Sequence, residues 1–489
     1  MRPTNTGAHA FAGPDKLAAV NLRLYDTATR EVRPFEPITP GSVGIYLCGA
    51  TVQGAPHIGH MRSAIAFDIL VRWLRRTGLD VTLVRNVTDI DDKILTKSAD
   101  AGQPWWQWAY RYEQEFTHAY QMLGVSPVSY EPRATGHITE MIELIELLID
   151  RGHAYTGDEG NVYFDVRSFG KYGELTKQKL ENLSTEGSAP DKRDPHDFAL
   201  WKRPKDEEPA TASWPTPYGR GRPGWHLECS AMARKYLGED FDIHAGGLDL
   251  RFPHHENEQA QSWAAGWGFA SLWMHNAWVT VGGEKMSKSL GNSLTVEAVL
   301  ERTTPVVLRY ALGAVHYRSA LEFTDGSLAD STAAWDRITG FLTRAAEVDP
   351  AVAEVDASTV ALPEDFVAAM NDDLNISAAL AVVHEHTRAG NTTLADDGDP
   401  GQVAAQVRAM LDVLGLDPYA APWASADAGA GASRKALAVL VDEVLTARAR
   451  ARAEKDWARA DELRDLLQAA GVVVEDSAGG PRWSVKEGR

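Results

Sequence analysis

Apolar positions first gather at Gly44-Ile45-Tyr46-Leu47-Cys48, a short run that reads as a buried strand. A loop with Gly49, Gly54 and Pro56 follows. Met61 to Arg76 then carries a stripe at Ile65, Ile69 and Trp73, flanked by Phe67, Leu70 and Leu74. That spacing predicts a helix, and Gly78 just beyond it marks the stop. Val81 to Val87 reads as the next buried strand, so the unit predicts a parallel strand–helix–strand crossover, the building block of a doubly wound sheet.

From about residue 100 to 220 this rhythm breaks. Met141–Asp150 predicts a helix and Val162-Tyr163-Phe164 a short strand, while Pro204–Gly224 is rich in Pro and Gly. An insertion within the sheet domain accounts for this. Trp105, Trp106, Trp108, Tyr110 and Tyr112 recur at helical spacing, which favours packing over base stacking. The sheet pattern resumes at Phe241-Asp242-Ile243-His244 and at Trp278-Val279-Thr280-Val281. Beyond Asp325 the chain reads as helical to Leu416. Ala421–Ser433 is Ala/Gly/Ser-rich and predicts a flexible linker. A charged helix over Lys435–Ala470 and a hairpin from Val472-Val473-Val474 and Arg482-Trp483-Ser484-Val485 complete the pattern.

Composition narrows the class. The 489 residues are 44% hydrophobic and 24% charged, the balance of an ordinary globular protein, and no apolar run approaches the roughly 20 residues that span a bilayer. Met1 to Asp15 lacks the apolar core of a signal peptide, so a cytoplasmic location and no membrane are expected. A net charge of −19 argues against indiscriminate nucleic-acid binding but leaves room for a structured RNA on a local basic face. The stretch Arg434–Arg489 is nearly neutral, with 11 Lys/Arg against 10 Asp/Glu. Two cysteines, Cys48 and Cys229, exclude a disulfide scaffold.

Two segments suit phosphate chemistry. His57-Ile58-Gly59-His60 sits at the strand-to-helix turn, where backbone N–H groups attract phosphate, Gly59 permits close approach, and two imidazoles three residues apart face the same ligand. Lys285-Met286-Ser287-Lys288-Ser289 lies between Gly282-Gly283 and Leu290-Gly291, so two lysines and two hydroxyls on a glycine-flanked loop can clamp a triphosphate. A third set offers metal donors: Cys48, Cys229, and His254 and Glu258, which share a face if Pro253 onward is helical. Without a Cys-x-x-Cys pair this is weak as a general zinc pattern.

The first two segments, in this order and without substitution, resemble the signature motifs of class I aminoacyl-tRNA synthetases. The metal set resembles that of the cysteinyl-tRNA synthetases, as do Val84–Lys93, read as a strand, Lys192-Arg193-Asp194-Pro195 to Trp201-Lys202, and His244–Leu250. The likeness runs from about Leu22 to Val485. It implies an α/β fold: a Rossmann-like doubly wound parallel sheet with an insertion, followed by a helical bundle and a small mixed α/β C-terminal unit. The expected divisions are a disordered extension (1–20), the two halves of the catalytic domain (21–124 and 221–300), a connective insertion (125–220), a stem-contact region (301–330), a helical tRNA-binding domain (331–420), a linker (421–433) and an anticodon-recognition unit (434–489).

The resemblance further implies ATP-dependent activation of L-cysteine to cysteinyl adenylate and transfer to the 3′-terminal ribose of tRNA(Cys), with magnesium accompanying ATP. His57, His60, Lys285 and Lys288 would be catalytic, with Gly59 and Ser287 joining them around ATP. Cys48, Cys229, His254 and Glu258 would hold one zinc per chain that reads the thiol. Thr51, Trp225, His226, His244 and Asp249 would line the substrate pocket, His226 and His244 by lining it or orienting ligands and Asp249 by receiving the substrate ammonium. A monomer is expected. Zinc logic agrees: cysteine and serine differ by one atom, and a soft metal separates thiolate from hydroxyl where pocket shape cannot.

Three alternatives stay open on sequence. One is a cysteine–amino-sugar ligase of the mycothiol pathway, which shares this core but lacks the tail. The others are a non-catalytic zinc RNA-binding relative and a zinc that only ties the fold together. Two departures stand out: Gln53-Gly54 replaces a common Tyr-Asp, and Ala245 interrupts a common His-Gly-Gly-Gly.

Overall fold

Four parallel strands carry the centre of the molecule: β1 (Ser42–Leu47), β2 (Asp80–Arg85), β3 (Phe241–Gly247) and β4 (Ala270–Asn276), in the spatial order β4-β3-β1-β2. In register, Ile45 lies between Leu83 on β2 and Ile243 on β3. The chain steps outward from β1 to β2 through α1 (Ile58–Arg76) and returns on the other side of β1 at β3. Strand order therefore reverses between β1 and β3, and their carboxyl ends open the crevice where such sheets bind ligands. Val43, Ile45, Tyr46 and Leu47 are all buried, as a strand covered on both faces requires. This computed structural model describes residues 21–182, 189–285, 294–477 and 480–485. The expected extension at 1–20 lies outside them.

Two further helices, α2 (Asp92–Asp100) and α3 (Trp105–Met122), follow β2. On α3, Trp105 donates to Thr211 Oγ1 and Trp108 to the Gln53 carbonyl, whereas Trp106 and Tyr110 are exposed, so packing uses only part of the aromatic cluster. The insertion builds its own five-stranded antiparallel sheet from Ala154–Thr156, Val162–Phe164, Phe198–Lys202, Gly219–Pro223 and Trp214–Thr216. The chain then enters α4 (Trp225–Leu237), and α5 (Glu256–Ala264) joins β3 to β4.

Two expectations about strands are corrected. The fourth strand of the main sheet is Ala270–Asn276, not Trp278–Val281; its polar end, His275-Asn276, is buried, with His275 bonded to Thr27 and His255. Val279–Val281 (β5) instead joins Glu284–Lys285 (β6) and Leu321–Glu322 (β7) in a small separate sheet. The strand expected over Val84–Lys93 ends at Arg85, because Gly49 N–H takes the Asn86 side chain at 2.8 Å and pulls the backbone out of line. A Cβ on Gly49 would stand 1.8 Å from the Asn86 carbonyl oxygen, so only glycine allows the crossing.

The chain divides into two units, Met1–Pro418 and Tyr419–Arg489. In the first, the expected helical region appears as Asp325–Val348, Glu364–Asn371, Ile376–Ala395 and Gly401–Leu414. In the second, the stretch expected to be a flexible linker is helical from Trp423, within one helix that runs to Ala453. Alanine at every second position from 424 to 432 outweighs the two glycines there. The single long charged helix also fails: Lys455 adopts φ 61° and Asp456 caps a new helix, Trp457–Ala469. The hairpin forms as expected, with Val474 opposite Trp483.

Within the first unit, α1 is strapped to α6 (Pro305–Gly313) by two buried arginines. Arg309 on α6 donates to Asp68 on α1 at 2.5 Å, to the Leu414 carbonyl at 2.9 Å and to the carbonyls of Leu123 and Gly124 at 3.1 and 2.9 Å. Arg62 on α1 donates to the carbonyls of Leu312, Val315 and His316. Burial alone would push the Asp68 carboxyl up, but Arg309 and Arg72 hold it at about 2, below its ordinary 3.8. A depressed folded-state pKa contributes stability that is present above about 4 and is lost as pH falls towards 2.

Arg309→Leu should therefore lower stability at neutral pH by about 3–5 kcal/mol, because it strands a buried carboxylate, and should flatten the loss of stability between pH 4 and 2. Urea unfolding across pH checks both; an unchanged acid slope would contradict the assignment.

Candidate active site

At the carboxyl end of β1, Cys48 leaves the sheet with its N–H bonded to the Ala245 carbonyl of β3 at 3.0 Å. Cys229 reaches the same point from the first turns of α4, and His254 and Glu258 from α5 and the turn that leads into it. All four donor atoms lie within 4.8 Å of one another and all four side chains are enclosed. Sγ of Cys48 is 3.8 Å from Sγ of Cys229 and 3.5 Å from Glu258 Oε1, and His254 Nε2 is 3.0 Å from the same oxygen.

Zinc bonds of about 2.3 Å to sulfur and about 2.0–2.1 Å to nitrogen and oxygen place tetrahedral donors about 3.8 Å (S···S), about 3.5 Å (S···O) and about 3.3 Å (N···O) apart. The observed spacings match this set closely, and its donors suit zinc rather than a hard cation. A second grouping, Cys48, His244, His255 and Glu258, shares two members. It fits less well, because His244 Nε2 is already 2.8 Å from the other Glu258 oxygen, Oε2. That contact makes His244 the group that orients the carboxylate. His226 does the same for His254, Nδ1 to Nδ1 at 3.0 Å, which leaves His254 Nε2 for the cluster. The Trp225 ring lies flat on His254, centroids 4.2 Å apart.

Charges follow from this packing. Burial and the neighbouring Cys229 push the Cys48 thiol up. Cys229, despite its own burial, is held at about 6 by the hydrogen bond from Cys48 and the charge of His254. Burial would raise Glu258, yet His244 and His254 hold it at about 2; burial would lower His254, yet Glu258 and Cys229 lift it to about 10. Burial and the surrounding imidazoles push His255 well down and His275 to about 3, so both are neutral.

Above this cluster opens a cavity of about 320 Å³ whose lining includes Cys48, Thr51, His57, Gly59, His60, Trp225 and Asp249. His57 is the N-cap of α1, so the helix start expected three residues later lies inside the motif. The His57 N–H donates to His60 Nδ1 at 3.2 Å and the two rings stack 3.6 Å apart. A neutral His60 accepting at Nδ1 carries its proton on Nε2, a donor for a phosphate oxygen. Gln53 also lines the cavity; its side chain accepts from Lys97 at 2.9 Å, so the position where Tyr is common here ties α2 to the mouth of the site. Ala245 is fully buried in β3, and its backbone carbonyl is the acceptor for the Cys48 N–H.

The segment Leu294–Val296 is bonded to the first motif: Ile58 N–H to the Leu294 carbonyl at 3.0 Å, Val296 N–H to the Pro56 carbonyl at 3.2 Å, with His57 opposite Thr295. The chain just beyond the second motif is thus a neighbour of the first. Lys285 is placed only through its backbone, opposite Thr280 on β5; Ser287 and Lys288 lie outside the described residues.

Sequence reasoning missed His275. It bridges Thr27 Oγ1 and His255 Nδ1, each at 2.8 Å, and so backs the histidine cluster from β4. The run Leu272-Trp273-Met274 was the available signal. Tyr46, buried beside Cys48 on β1 with its ring 5.4 Å from that of His244, was likewise read only as strand core.

The comparisons with known proteins fall in line with this geometry. A family model described as the tRNA synthetases class I (C) catalytic domain matches residues 34–333. A DALR domain matches 365–416, and a cysteinyl-tRNA ligase anticodon binding domain matches 434–483. The cysteine–tRNA ligase of Beutenbergia cavernae is 66% identical over 474 residues, covering 96% of this chain and 100% of that one. That of Bifidobacterium longum is 52% identical over 520 residues, covering 96% and 95%. Among solved structures, Mycobacterium tuberculosis methionyl-tRNA synthetase in complex with methionyl-adenylate superposes with a TM-score of 0.56 at 16% identity, over 77% of this chain and 92% of that one.

Because His244 holds the free oxygen of Glu258, His244→Gln should weaken zinc binding by about 10- to 100-fold while the far-ultraviolet dichroism stays that of the parent. Competition against a chromophoric chelator measures this; unaltered affinity would remove His244 from the metal site.

Proposed function

The chain belongs to the cysteine–tRNA ligase family of class I aminoacyl-tRNA synthetases, and on that premise we propose how its own residues divide the work. The enzyme activates L-cysteine with ATP to cysteinyl adenylate and transfers the acyl group to the 3′-terminal ribose of tRNA(Cys). The observation that carries the reading of the substrate is the two-thiol, imidazole and carboxylate cluster, which meets through Cys48 the cavity that His57 and His60 also line.

Cys48, Cys229, His254 and Glu258 hold the zinc, which when bound supplies a soft Lewis acid for the substrate thiolate and so separates cysteine from serine. His244 and His226 fix two of these donors through their hydrogen bonds. Trp225 packs on His254 and walls the pocket; Thr51 and Asp249 lie across the cavity, where the Asp249 carboxylate receives the substrate ammonium. His57 and His60 stand at the N-terminus of α1, where N–H donors meet the α-phosphate as the cysteine carboxylate attacks it. Gly59 leaves room for the nucleotide. Lys285, Ser287 and Lys288 draw the departing pyrophosphate, with magnesium sharing its charge. No covalent enzyme intermediate is needed: each group stabilises charge that grows in the transition state.

The region 331–420 and the terminal unit contact the tRNA. Arg448, Arg450, Arg452, Arg459 and the exposed Trp457 are the side chains for RNA contact there. The anticodon binding domain over 434–483 supports tRNA over an amino sugar as acceptor. No helix among the described residues is long and apolar enough to cross a membrane. A cytoplasmic monomer completes the reading.

Cysteine-dependent ATP–pyrophosphate exchange by the zinc-loaded protein is the primary test, and its absence would sink the proposal. Lys285→Ala should lower the exchange kcat by about 100- to 1,000-fold with metal content unchanged. Chelation should abolish the preference for cysteine over serine. With both acceptors supplied, cysteine should pass to tRNA(Cys) and not to the amino sugar.

A further inference from the structure

Glu322 lies outside the cavity and takes no part in the chemistry above. It ends β7, the edge strand that pairs with β5 in parallel: Val279 opposite Leu321, Thr280 opposite Glu322. On its other side β5 turns through Gly282-Gly283 into β6, so that Thr280 faces Lys285. Both glycines have positive φ, 65° and 79°, which is the backbone of a tight hairpin turn that other residues adopt only under strain. Chain neighbours aside, no atom of the described residues lies within 4 Å of where a Cβ on either glycine would stand, so none of them packs on the turn there. Among the described residues the ribbon has two paired positions, and a hairpin that short is marginal in water on its own.

The Glu322 side chain supplies the missing hold. Its Oε1 accepts the Gly283 N–H at 3.0 Å and its Oε2 accepts the Thr280 hydroxyl. One carboxylate thus joins the middle of β5 to the far residue of the turn, and the hairpin cannot open or slip without breaking both bonds. A slip of one residue would take Lys285 off its backbone partner Thr280 and change the register of the whole ribbon. The strand being held leads directly out of the site: Asn276, Ala277, Trp278 and Val279 line the cavity.

We propose that Glu322 is a positioning residue for the reaction, fixing the register of the hairpin that presents Lys285. This rests on the reading of Lys285 as a group that stabilises the leaving pyrophosphate. The Thr280 hydroxyl and the glycine amides hold the Glu322 carboxyl below its ordinary range, so the clamp is intact at neutral pH. The role is one of acceptor geometry rather than charge. Glutamine keeps an acceptor for Gly283 and can donate to the Thr280 oxygen; aspartate is one methylene short of either partner.

The test is a set of single and double variants read by cysteine-dependent ATP–pyrophosphate exchange on the full zinc-loaded chain. Glu322→Ala and Glu322→Asp should lower kcat by about tenfold with KM for cysteine unchanged, the signature of a misplaced transition-state contact. Glu322→Gln should restore at least half of the parent rate. In a Lys285→Ala background the Glu322→Ala loss should vanish, because a residue acting through Lys285 has nothing left to place. A parent-like kcat for Glu322→Ala overturns the proposal, and so does an undiminished tenfold loss in the Lys285→Ala background. A Lys285→Ala variant with parent activity instead refutes the reading of Lys285, whatever Glu322 does. Thermal unfolding of each variant separates loss of fold from loss of register.

Discussion

Removing the Glu258 carboxylate wholly from water is the constraint on which this structure turns. A charge in that position is tolerable only if both oxygens are engaged, and they are: Oε1 by the thiol and imidazole donors, Oε2 by His244. His244 and His254 are buried too, and further buried imidazoles stand behind them. His254 has His226, and His255 has His275, which has Thr27. Polar side chains therefore accumulate behind the metal donors in shells, reaching across β1, β3, β4, α4 and α5. The sheet's switch point decides where this happens, because only there do the ends of β1 and β3 part.

The same logic of satisfied burial fixes the first motif. His60 is turned by the backbone N–H of His57, and α1 as a whole is held by Arg62 and Arg309 through carbonyl oxygens rather than through carboxylates alone. Arginine's planar fork suits this use, since one side chain can collect several carbonyls at the ends of different helices. The helix that begins with the His57–His60 motif is consequently seated against α6 at two depths, and its orientation does not depend on exposed ion pairs.

Much of this was legible in the residues. The strand ending at Cys48, the helix after it, the four metal donors and both motif segments all carry local signals: apolar runs, glycine stops, and side chains of unusual chemistry in otherwise apolar surroundings. What escaped had its signal inverted by function. The sheet pattern resumes at Trp278–Val281, but the strand is Ala270–Asn276, whose polar end is buried with His275 bonded to Thr27 and His255. Ala/Gly/Ser composition at 421–433 reads as flexible, yet alanine content decides for helix from Trp423. Asn86 to Asp91 reads as more strand, but a side-chain bond to Gly49 ends the ladder early. The close approach of Leu294–Val296 to His57 had no sequence signal, since backbone-to-backbone bonds leave none.

The order of the strands has a temporal meaning as well. Cys48 and Glu258 are 210 residues apart, with the whole insertion between them. At about 5–20 residues per second of synthesis, roughly 10–40 s separate the appearance of the first donor from that of the last. For that interval the nascent chain carries β1 and β2 without β3, and Cys48 as a lone thiol with no partner in reach. The insertion's antiparallel sheet, built from nearby segments, can fold meanwhile on its own. Completion of the four-donor cluster is thus a late event of biosynthesis, and until then the half-built sheet keeps an open strand edge beside an unpartnered thiol.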